Sequence, residues 1–246
     1  MKKEDEFTKN IEKGLMEVTA YQFNAYNIEP SFPEEIARLR AKDLKVQNCS
    51  ERKNFCREKV LIIDGEDCKD METRIPGKKQ QCDTLSVTKT SAGYRLAVHI
   101  ADVSAYIAPG TELDKVASYR ANSIYLPHTT VPMLPAVLSN NLCSLNPGLS
   151  RYTLSVLVEL SEEGEILHSD ICKAQIQSKV KGVYTEINRL LSGERDKKLM
   201  DKYKEVYEEL FTMEKLYILL KEERIRRGST CEGNEKPKVF LRNQEI

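Results

Sequence analysis

The residues with the clearest chemical potential are five carboxylates that follow a short apolar run, Val60 to Ile63. The run is rich in β-branched residues and is soon followed by Gly65, which predicts a buried strand. The acids fall within the next nine residues: Asp64, Glu66, Asp67, Asp70 and Glu72. Carboxylates this crowded repel one another unless cations or basic side chains neutralise them. Because Mg²⁺ takes carboxylate and phosphate oxygens as ligands, the pattern indicates a metal site that handles phosphate; a solvated acidic turn is the alternative.

The composition is typical of a soluble globular protein with a polar surface. Hydrophobic residues make up 40% of the 246 residues, charged residues 31%, and the formal net charge is zero, so a basic patch for nucleic acid would have to be local. Seven cysteines without a C-x-x-C pair indicate free thiols in a reducing cytoplasm. We find no apolar run of membrane-spanning length and no signal-peptide core, and therefore expect no membrane partner.

The N-terminal part reads as a helical lead-in and linker over residues 1–58, before a larger domain over 59–246. Apolar spacing predicts an amphipathic helix over 11–26. Pro33 followed by two glutamates predicts the start of a second helix, which runs to about Leu44. The stretch QNCSERKNFCREK, residues 47–59, reads as a polar linker into the first strand.

In the middle of the chain, the pattern of apolar and polar residues predicts several β-strands. Residues 84–90 and 94–107 form a predicted hairpin joined by Ser91-Ala92-Gly93, with His99 as a hydrogen-bonded core residue. A short helix capped by Thr111 comes next, then an ordered, partly buried loop over 123–148 with several prolines. Two or three strands follow over 153–181, around a Glu-Gly turn. We therefore expect an α+β fold: a mixed, largely antiparallel β-sheet with packed helices.

Residues 194–227 form the clearest predicted helix. Its apolar residues recur at spacings of three and four: Leu199, Tyr203, Val206, Leu210, Met213, Tyr217 and Leu220. Packing of this seam against the domain's own sheet is favoured, because three heptads are few for a coiled-coil dimer; dimerisation through this helix is the alternative. Residues 238–246 predict a further strand.

Several sequence blocks resemble the ribonuclease II and ribonuclease R family of exoribonucleases. IDGEDCKDME is similar to the family's metal-binding signature, D-x5-D-x-D-D. HIADVSAYI, SIYLP, VPMLPAVLSNNLCSLNPG and AQIQSKVKGVY resemble the blocks that follow it, in the same order. The lead-in AYNIEPSFPEEI resembles the ribonuclease R branch. The resemblance implies an enzyme that hydrolyses single-stranded RNA from its 3′ end to 5′-nucleoside monophosphates, using Mg²⁺, for which Mn²⁺ can substitute.

The resemblance also assigns roles to individual residues. Asp64 and Asp70 match the first two family aspartates, which are metal ligands. Tyr125 matches an aromatic residue that clamps a base, and Tyr184 a tyrosine near the 3′-terminal nucleotide. Lys179 and Lys181 are candidates for phosphate contacts. The alternatives are a core tyrosine at 125 and solvated lysines.

The acidic motif departs from the family pattern after its second aspartate. Glu72 and Thr73 stand where the family has two further aspartates, and Thr73 supplies no carboxylate. In a second alignment, Cys82-Asp83-Thr84-Leu85-Ser86-Val87 matches the family's D-D-A-V-x-V. Asp83 then takes the fourth position, and Cys82 or Glu72 the third. We therefore expect metal ligands at Asp64, Asp70, Glu72 and Asp83, with Asp70 and Asp83 catalytic, provided that the chain returns Asp83 to the metal.

Besides an active exoribonuclease, two functions stay open, an RNA-binding remnant and a structural module. The family domain continues beyond the length of this chain, so we expect the N-terminal part of a catalytic domain, which could be inactive. The alternatives are a catalytically dead remnant that still binds RNA, and a structural module whose acids are merely solvated.

Overall fold

Five strands pair in chain order and close into a β-barrel, as seen in a computed structural model that describes residues 14, 17, 19–21, 23–46, 51–64, 83–126 and 129–229. Two further two-residue strands form a separate hairpin. The barrel strands are β1 Lys53–Asp64, β2 Asp83–Thr90, β3 Gly93–Ala101, β6 Ser150–Ser161 and β7 Ile166–Val183, and the separate hairpin is β4 Ile124–Tyr125 with β5 Thr130–Val131. The expected α+β class, with a mixed and largely antiparallel sheet, is confirmed.

The barrel closes through a parallel pair, β1 with β7, while the other four pairs are antiparallel. Strands that alternate in direction cannot close a ring of five without one such pair. Going around the barrel from Ile62 on β1, the residues paired in register are Thr84, His99, Ser155 and, on β7, Cys172. Cys172 is two residues before Ala174, which pairs with Lys53 at the other end of β1. This large stagger means that the strands are strongly tilted.

The predicted hairpin of β2 and β3 is confirmed, and its turn requires a glycine. Gly93 has a φ of +142°, and a Cβ there would lie 2.2 Å from the Leu160 carbonyl oxygen on β6. The second strand ends at Ala101, earlier than expected, because Asp102 begins a 3₁₀ turn over Val103–Ala105. The Asp102 amide still donates to the Tyr152 carbonyl at 3.0 Å, which holds the turn to β6.

The barrel interior holds a polar network around His99, which is buried as predicted. His99 Nδ1 lies 2.8 Å from Ser155 Oγ, and Nε2 lies 3.4 Å from Ser86 Oγ. Ser155 Oγ is in turn 3.0 Å from Thr153 Oγ1. Burial lowers the pKa of His99 to about 4, so the ring is neutral at physiological pH.

Helices cover the outer face of β1, β2 and β7. They are α3 Tyr184–Leu191, α4 Lys197–Tyr203 and α5 Tyr207–Arg226. The prediction of one helix over 194–227 is wrong, because the chain turns at 204–206. The first half packs with Leu61 and Val180, and the second half reaches a separate cluster around Val87, Tyr94 and Leu160. One straight helix could not follow this curved surface.

The heptad seam is buried within the chain, which agrees with packing on its own sheet. Leu199, Tyr203, Val206 and Leu210 belong to the cluster around Leu61. Farther along, Leu216 is buried, whereas Tyr217 of the predicted seam is 62% exposed. After the break, Leu210, Met213 and Leu220 of the predicted seam still pack in the two clusters, and Leu216 takes the buried place predicted for Tyr217.

The lead-in packs against the segment that follows β3. Its α1, Glu34–Ala37, and a 3₁₀ turn, Ala41–Asp43, replace the longer helix predicted to run to Leu44. The short helix ends because Arg38 caps it, and Ile36 packs among Tyr106, Leu113 and Leu138. Of the helix predicted over 11–26, the described positions between 14 and 25 are helical.

The later half of the predicted linker is strand, because β1 already begins at Lys53. Phe55 of this part pairs with Ile176 of β7, so tertiary pairing overrides its polar composition.

The predicted helix after Thr111 is confirmed as α2, Glu112–Arg120, with the Asp114 amide donating to the Thr111 hydroxyl. The predicted terminal strand over 238–246 lies outside the described residues. No described helix is long and apolar enough to cross a membrane.

Acid should destabilise the protein through His99. Unfolding raises its pKa from about 4 to the ordinary 6.5, so the unfolded chain binds the extra proton and stability falls as the pH drops below 6.5. At pH 4 this loss reaches about 3 kcal/mol. Urea unfolding at a series of pH values measures it.

Two substitutions test this assignment, one at His99 and a control at a second histidine, His168. His99→Gln keeps hydrogen-bonding groups but cannot titrate, and should flatten the pH dependence between 6.5 and 4. His168→Gln, at an exposed position on β7, should keep the wild-type dependence. Equal slopes in wild type and His99→Gln would contradict the assignment.

Candidate metal and nucleic-acid site

Two of the four candidate metal ligands, Asp64 and Asp83, lie at neighbouring strand ends. Asp64 is the last residue of β1, and Asp83 is the first residue of β2. The register pairs Ile63 with Asp83, so the Cα atoms of Asp64 and Asp83 are about 6 Å apart. The chain therefore returns Asp83 to the neighbourhood of Asp64 after the intervening segment. Only the backbone of these two residues is described, and Asp70 and Glu72 lie outside the described residues.

On its other side, β1 pairs with β7, and Tyr184 directly follows the end of β7. Asp64 pairs with Val183, the last residue of β7, and Tyr184 begins α3 directly after it. The Tyr184 side chain is 48% exposed. Asp64 thus has Asp83 on one neighbouring strand and the start of α3 on the other, and the structure brings these three predicted site residues together.

Tyr203 fixes this junction, a role that the sequence did not reveal. Its hydroxyl accepts from the Val183 amide at 3.0 Å and donates to Glu186 Oε2 at 2.7 Å. The side chain is fully buried, and burial together with the Glu186 carboxylate raises its pKa. Its place in the heptad seam predicted burial but gave no signal for the hydroxyl's partners.

Gly182 allows the close packing beside this junction. A Cβ at this position would lie 2.8 Å from Ile187 Cδ1 and 3.1 Å from the Ile62 carbonyl oxygen. A side chain at this position would therefore require Ile187 to move and the Ile62 carbonyl to give way slightly.

The two lysines on β7 differ in their surroundings. Lys179 is half-buried, and its Nζ donates to the Cys56 carbonyl at 3.0 Å. Lys181 pairs in register with Ile62, two residues before Asp64. Lys181 therefore lies nearer to Asp64 along the strands than Lys179 does. To bind phosphate, Lys179 would have to release the Cys56 carbonyl.

Tyr125 lies on a different element, the β4–β5 hairpin. It pairs with Thr130, and its side chain is 57% exposed, so the alternative of a core tyrosine is wrong. The hairpin belongs to the segment between β3 and β6, and not to the strand ends that carry Asp64 and Asp83.

A buried ion pair that sequence reasoning missed ties the start of β1 to the end of β3. Arg52 Nη2 lies 2.6 Å from Asp102 Oδ2, and both side chains are almost fully buried. Burial opposes ionisation of Asp102, but hydrogen bonds from Ser104 and Arg52 and the Arg52 charge together hold its pKa below the usual range. The Arg52 guanidinium also lies 4.5 Å from the Tyr152 ring centroid. The strand tilt makes this contact between distant strand ends possible, and sequence alone gives no signal for it.

Within the described residues, no group of three or more His, Cys, Asp or Glu side chains is placed to hold a metal ion. The candidate ligands are all carboxylates, and such hard oxygen donors fit Mg²⁺ or Mn²⁺ better than they fit softer metals. The donor chemistry and the approach of β1 to β2 are therefore compatible with the expected metal.

Comparison with known proteins gives a consistent result. The RNB domain model matches residues 52–245. Ribonuclease R of Thermotoga maritima is 37% identical over 221 residues, covering 85% of this chain and 28% of that protein. Ribonuclease R of Escherichia coli is 35% identical over 186 residues, covering 76% and 21%.

A solved structure, the apo form of Mycoplasma genitalium RNase R, superimposes with a TM-score of 0.75 at 26% identity, covering 90% of this chain and 33% of that one. Yeast Ssd1, described as a pseudonuclease, shares the fold with a TM-score of 0.57 at 19% identity, covering 75% and 21%. The chain thus spans about a fifth to a third of the length of these relatives. From its sequence and its fold, the chain belongs to the RNB domain family, in the ribonuclease R branch.

Proposed function

We propose that this chain carries the N-terminal part of the catalytic domain of a 3′-to-5′ exoribonuclease, which hydrolyses single-stranded RNA to 5′-nucleoside monophosphates. The proposed domain covers residues 59–246, preceded by the helical lead-in over 1–58. The observation that carries the proposal is the β1–β2 register, because it returns Asp83 to Asp64 after 18 intervening residues, 65–82. The proposed site of action is the cytoplasm, where thiols such as Cys56 stay reduced.

In this proposal, Asp64, Asp70, Glu72 and Asp83 hold the metal, and Asp70 and Asp83 are the catalytic residues. These carboxylates would hold Mg²⁺, or Mn²⁺ in its place, and the metal would supply water activation and stabilisation of the leaving oxygen. Asp64 and Asp83 are terminal residues of paired strands, so the β1–β2 register holds their Cα atoms close together without metal. The protein thereby avoids much of the ordering that a site built only from loop residues would require.

RNA binding in this proposal uses two exposed tyrosines and the β7 lysines. Tyr184 follows the strand end beside Asp64, so a base stacked on it would lie close to the carboxylates. Tyr125 stacks a base farther along the strand, and Lys179 and Lys181 face phosphates. In support, a solved structure of M. genitalium RNase R, at 25% identity and a TM-score of 0.73, is a complex with ribose methylated single-stranded RNA.

A catalytically dead remnant that still binds RNA is the second candidate, and one observation favours it. Glu72 and Thr73 replace two aspartates of the motif, so the acidic segment offers fewer carboxylates at those positions. Both candidates need the tyrosines, whereas only the enzyme needs a working metal site. Activity and metal affinity therefore separate them.

The enzyme should shorten a 5′-labelled single-stranded RNA stepwise from the 3′ end in the presence of Mg²⁺, with single-stranded DNA as a substrate control. We expect Asp83→Asn to lower the rate by about a hundredfold or more, because the variant loses a negative ligand charge. Asp201→Asn, at an exposed position on α4, is the matched control and should behave like wild type. Denaturing gel electrophoresis of the products is the measurement.

Calorimetric titration with Mn²⁺ then separates the two candidates. If RNA is not shortened but binds, the remnant is supported. If Mn²⁺ affinity is also equal in wild type, Asp70→Asn and Asp83→Asn, the metal site itself is refuted for this chain.

Tyr125→Ala should weaken binding of single-stranded RNA by about 5- to 100-fold, the range expected for loss of one stacked base. Tyr217→Ala, which removes an exposed tyrosine from α5, is the matched control and should have no effect. Fluorescence anisotropy with a labelled oligoribonucleotide, in EDTA to prevent cleavage, gives both affinities. A loss as large in Tyr217→Ala would show that the effect is not specific to the hairpin.

A further inference from the structure

Arg120 joins three segments that are far apart in the sequence. It is the last residue of α2, and its guanidinium carbon lies 3.9 Å from the Phe32 ring centroid. Nη1 donates to the Pro132 carbonyl at 2.9 Å, and Nη2 donates to the Ser31 carbonyl. One side chain thus connects the lead-in, α2 and the residue that follows β5.

Pro132 is where the hairpin that carries Tyr125 is held. β4 and β5 have only two residues each, and so short a hairpin is marginal by itself. Its internal bonds include the Leu126 amide to the Thr129 carbonyl at 2.9 Å. At its base, the Met133 amide donates to Ser123 Oγ, also at 2.9 Å. Arg120 donates to the carbonyl of Pro132, the residue directly before Met133. This hydrogen bond limits how far the hairpin can tilt.

The chain between α2 and the hairpin is itself constrained. Ala121 has a φ of +59°, a conformation that L-residues other than Asn and Asp rarely adopt. Such strain persists only where surrounding contacts impose it. The contacts of Arg120 on Ser31, Phe32 and Pro132 supply this restraint on one side of Ala121.

We propose that Arg120 is a positioning residue for RNA binding, which couples the lead-in at Ser31 and Phe32 to the stacking of a base on Tyr125. The inference rests on the proposed function, since it assumes that Tyr125 contacts RNA. It adds a role for the lead-in, which holds the hairpin through Arg120 without touching RNA itself. Arginine suits this role because its planar group stacks on a ring and donates to two carbonyls at once.

A double-mutant cycle in the full chain tests the coupling. Arg120→Met keeps an apolar stem of similar length and should weaken RNA binding by about three- to tenfold. In the Tyr125→Ala background the same change should have no further effect, because the group that it positions is gone. Combined with Tyr184→Ala, the two losses should multiply, since Tyr184 begins α3 and is not part of the hairpin that carries Tyr125. A general loss of folding would not distinguish the two tyrosines.

Two further variants control for side effects. Arg38→Met removes an exposed lead-in arginine that pairs only with Glu34 within α1 in the described structure, and should leave RNA affinity unchanged. Phe32→Leu keeps the apolar volume but removes the aromatic face, and should reproduce part of the Arg120→Met loss. Thermal unfolding of each variant shows whether it is folded.

Hydrogen exchange tests the positioning itself, without RNA. In Arg120→Met, the Leu126 and Met133 amides should exchange faster, while amides in the β3–β6 ladder should not change. Unchanged exchange at both hairpin amides, or equal losses with and without Tyr125, would overturn the inference. If Tyr125→Ala alone leaves affinity unchanged, the proposed role of Tyr125 in RNA binding fails and the coupling fails with it; the exchange result then still decides whether Arg120 holds the hairpin.

Discussion

The position of β1 between β2 and β7 is the constraint on which the rest of the architecture depends. Five strands close only if one neighbouring pair is parallel, and here β1 forms that pair with β7. The end of β1 therefore meets the start of β2 on one side and the end of β7 on the other. Asp64, Asp83 and Tyr184 come from three parts of the sequence, and the two pairings of β1 bring their backbones close together. The antiparallel pair with β2 places Asp83 beside Asp64, and the parallel pair that closes the barrel places Tyr184 on the other side.

The same geometry explains the unusual polar interior. A five-stranded barrel has a narrow lumen that large side chains cannot all share. Ser86, Thr153 and Ser155 are small, and His99 lies among them within hydrogen-bonding distance of two hydroxyls. Satisfied polar groups of this kind favour one register over a slipped one, because a shift by one residue would bury unpaired hydroxyls. Thr84 Oγ1, buried and without a partner in the described part of the chain, shows that the network is not complete.

Local signals predicted the elements well, but they did not predict long-range contacts. The hairpin at Gly93 and the cap at Thr111 follow from neighbouring residues, and both are found. The start of β1 was missed because its polar residues become a strand only by pairing with β7. The break before α5 was missed because heptad spacing carries no information about the curvature of the surface beneath. The pairing of Arg52 with Asp102 depends on strand tilt, which no local pattern encodes.

The candidate site also has one part set by strand pairing and another set by local sequence. This difference bears on how such a protein could gain or lose activity. Asp64 and Asp83 are set by the barrel register, which depends on pairing along whole strands and tolerates change between them. Asp70 and Glu72 belong to the sequence between those strands, residues 65–82, and take no part in the observed β1–β2 register. In the proposed function, the presence of Glu72 and Thr73 in place of two motif aspartates would change the chemistry, whereas the strand register sets Asp64 and Asp83. The fold is shared with an RNase R and with yeast Ssd1, which is described as a pseudonuclease, so the fold is compatible with both proposed functions; the two proposals differ in the carboxylates between the strands.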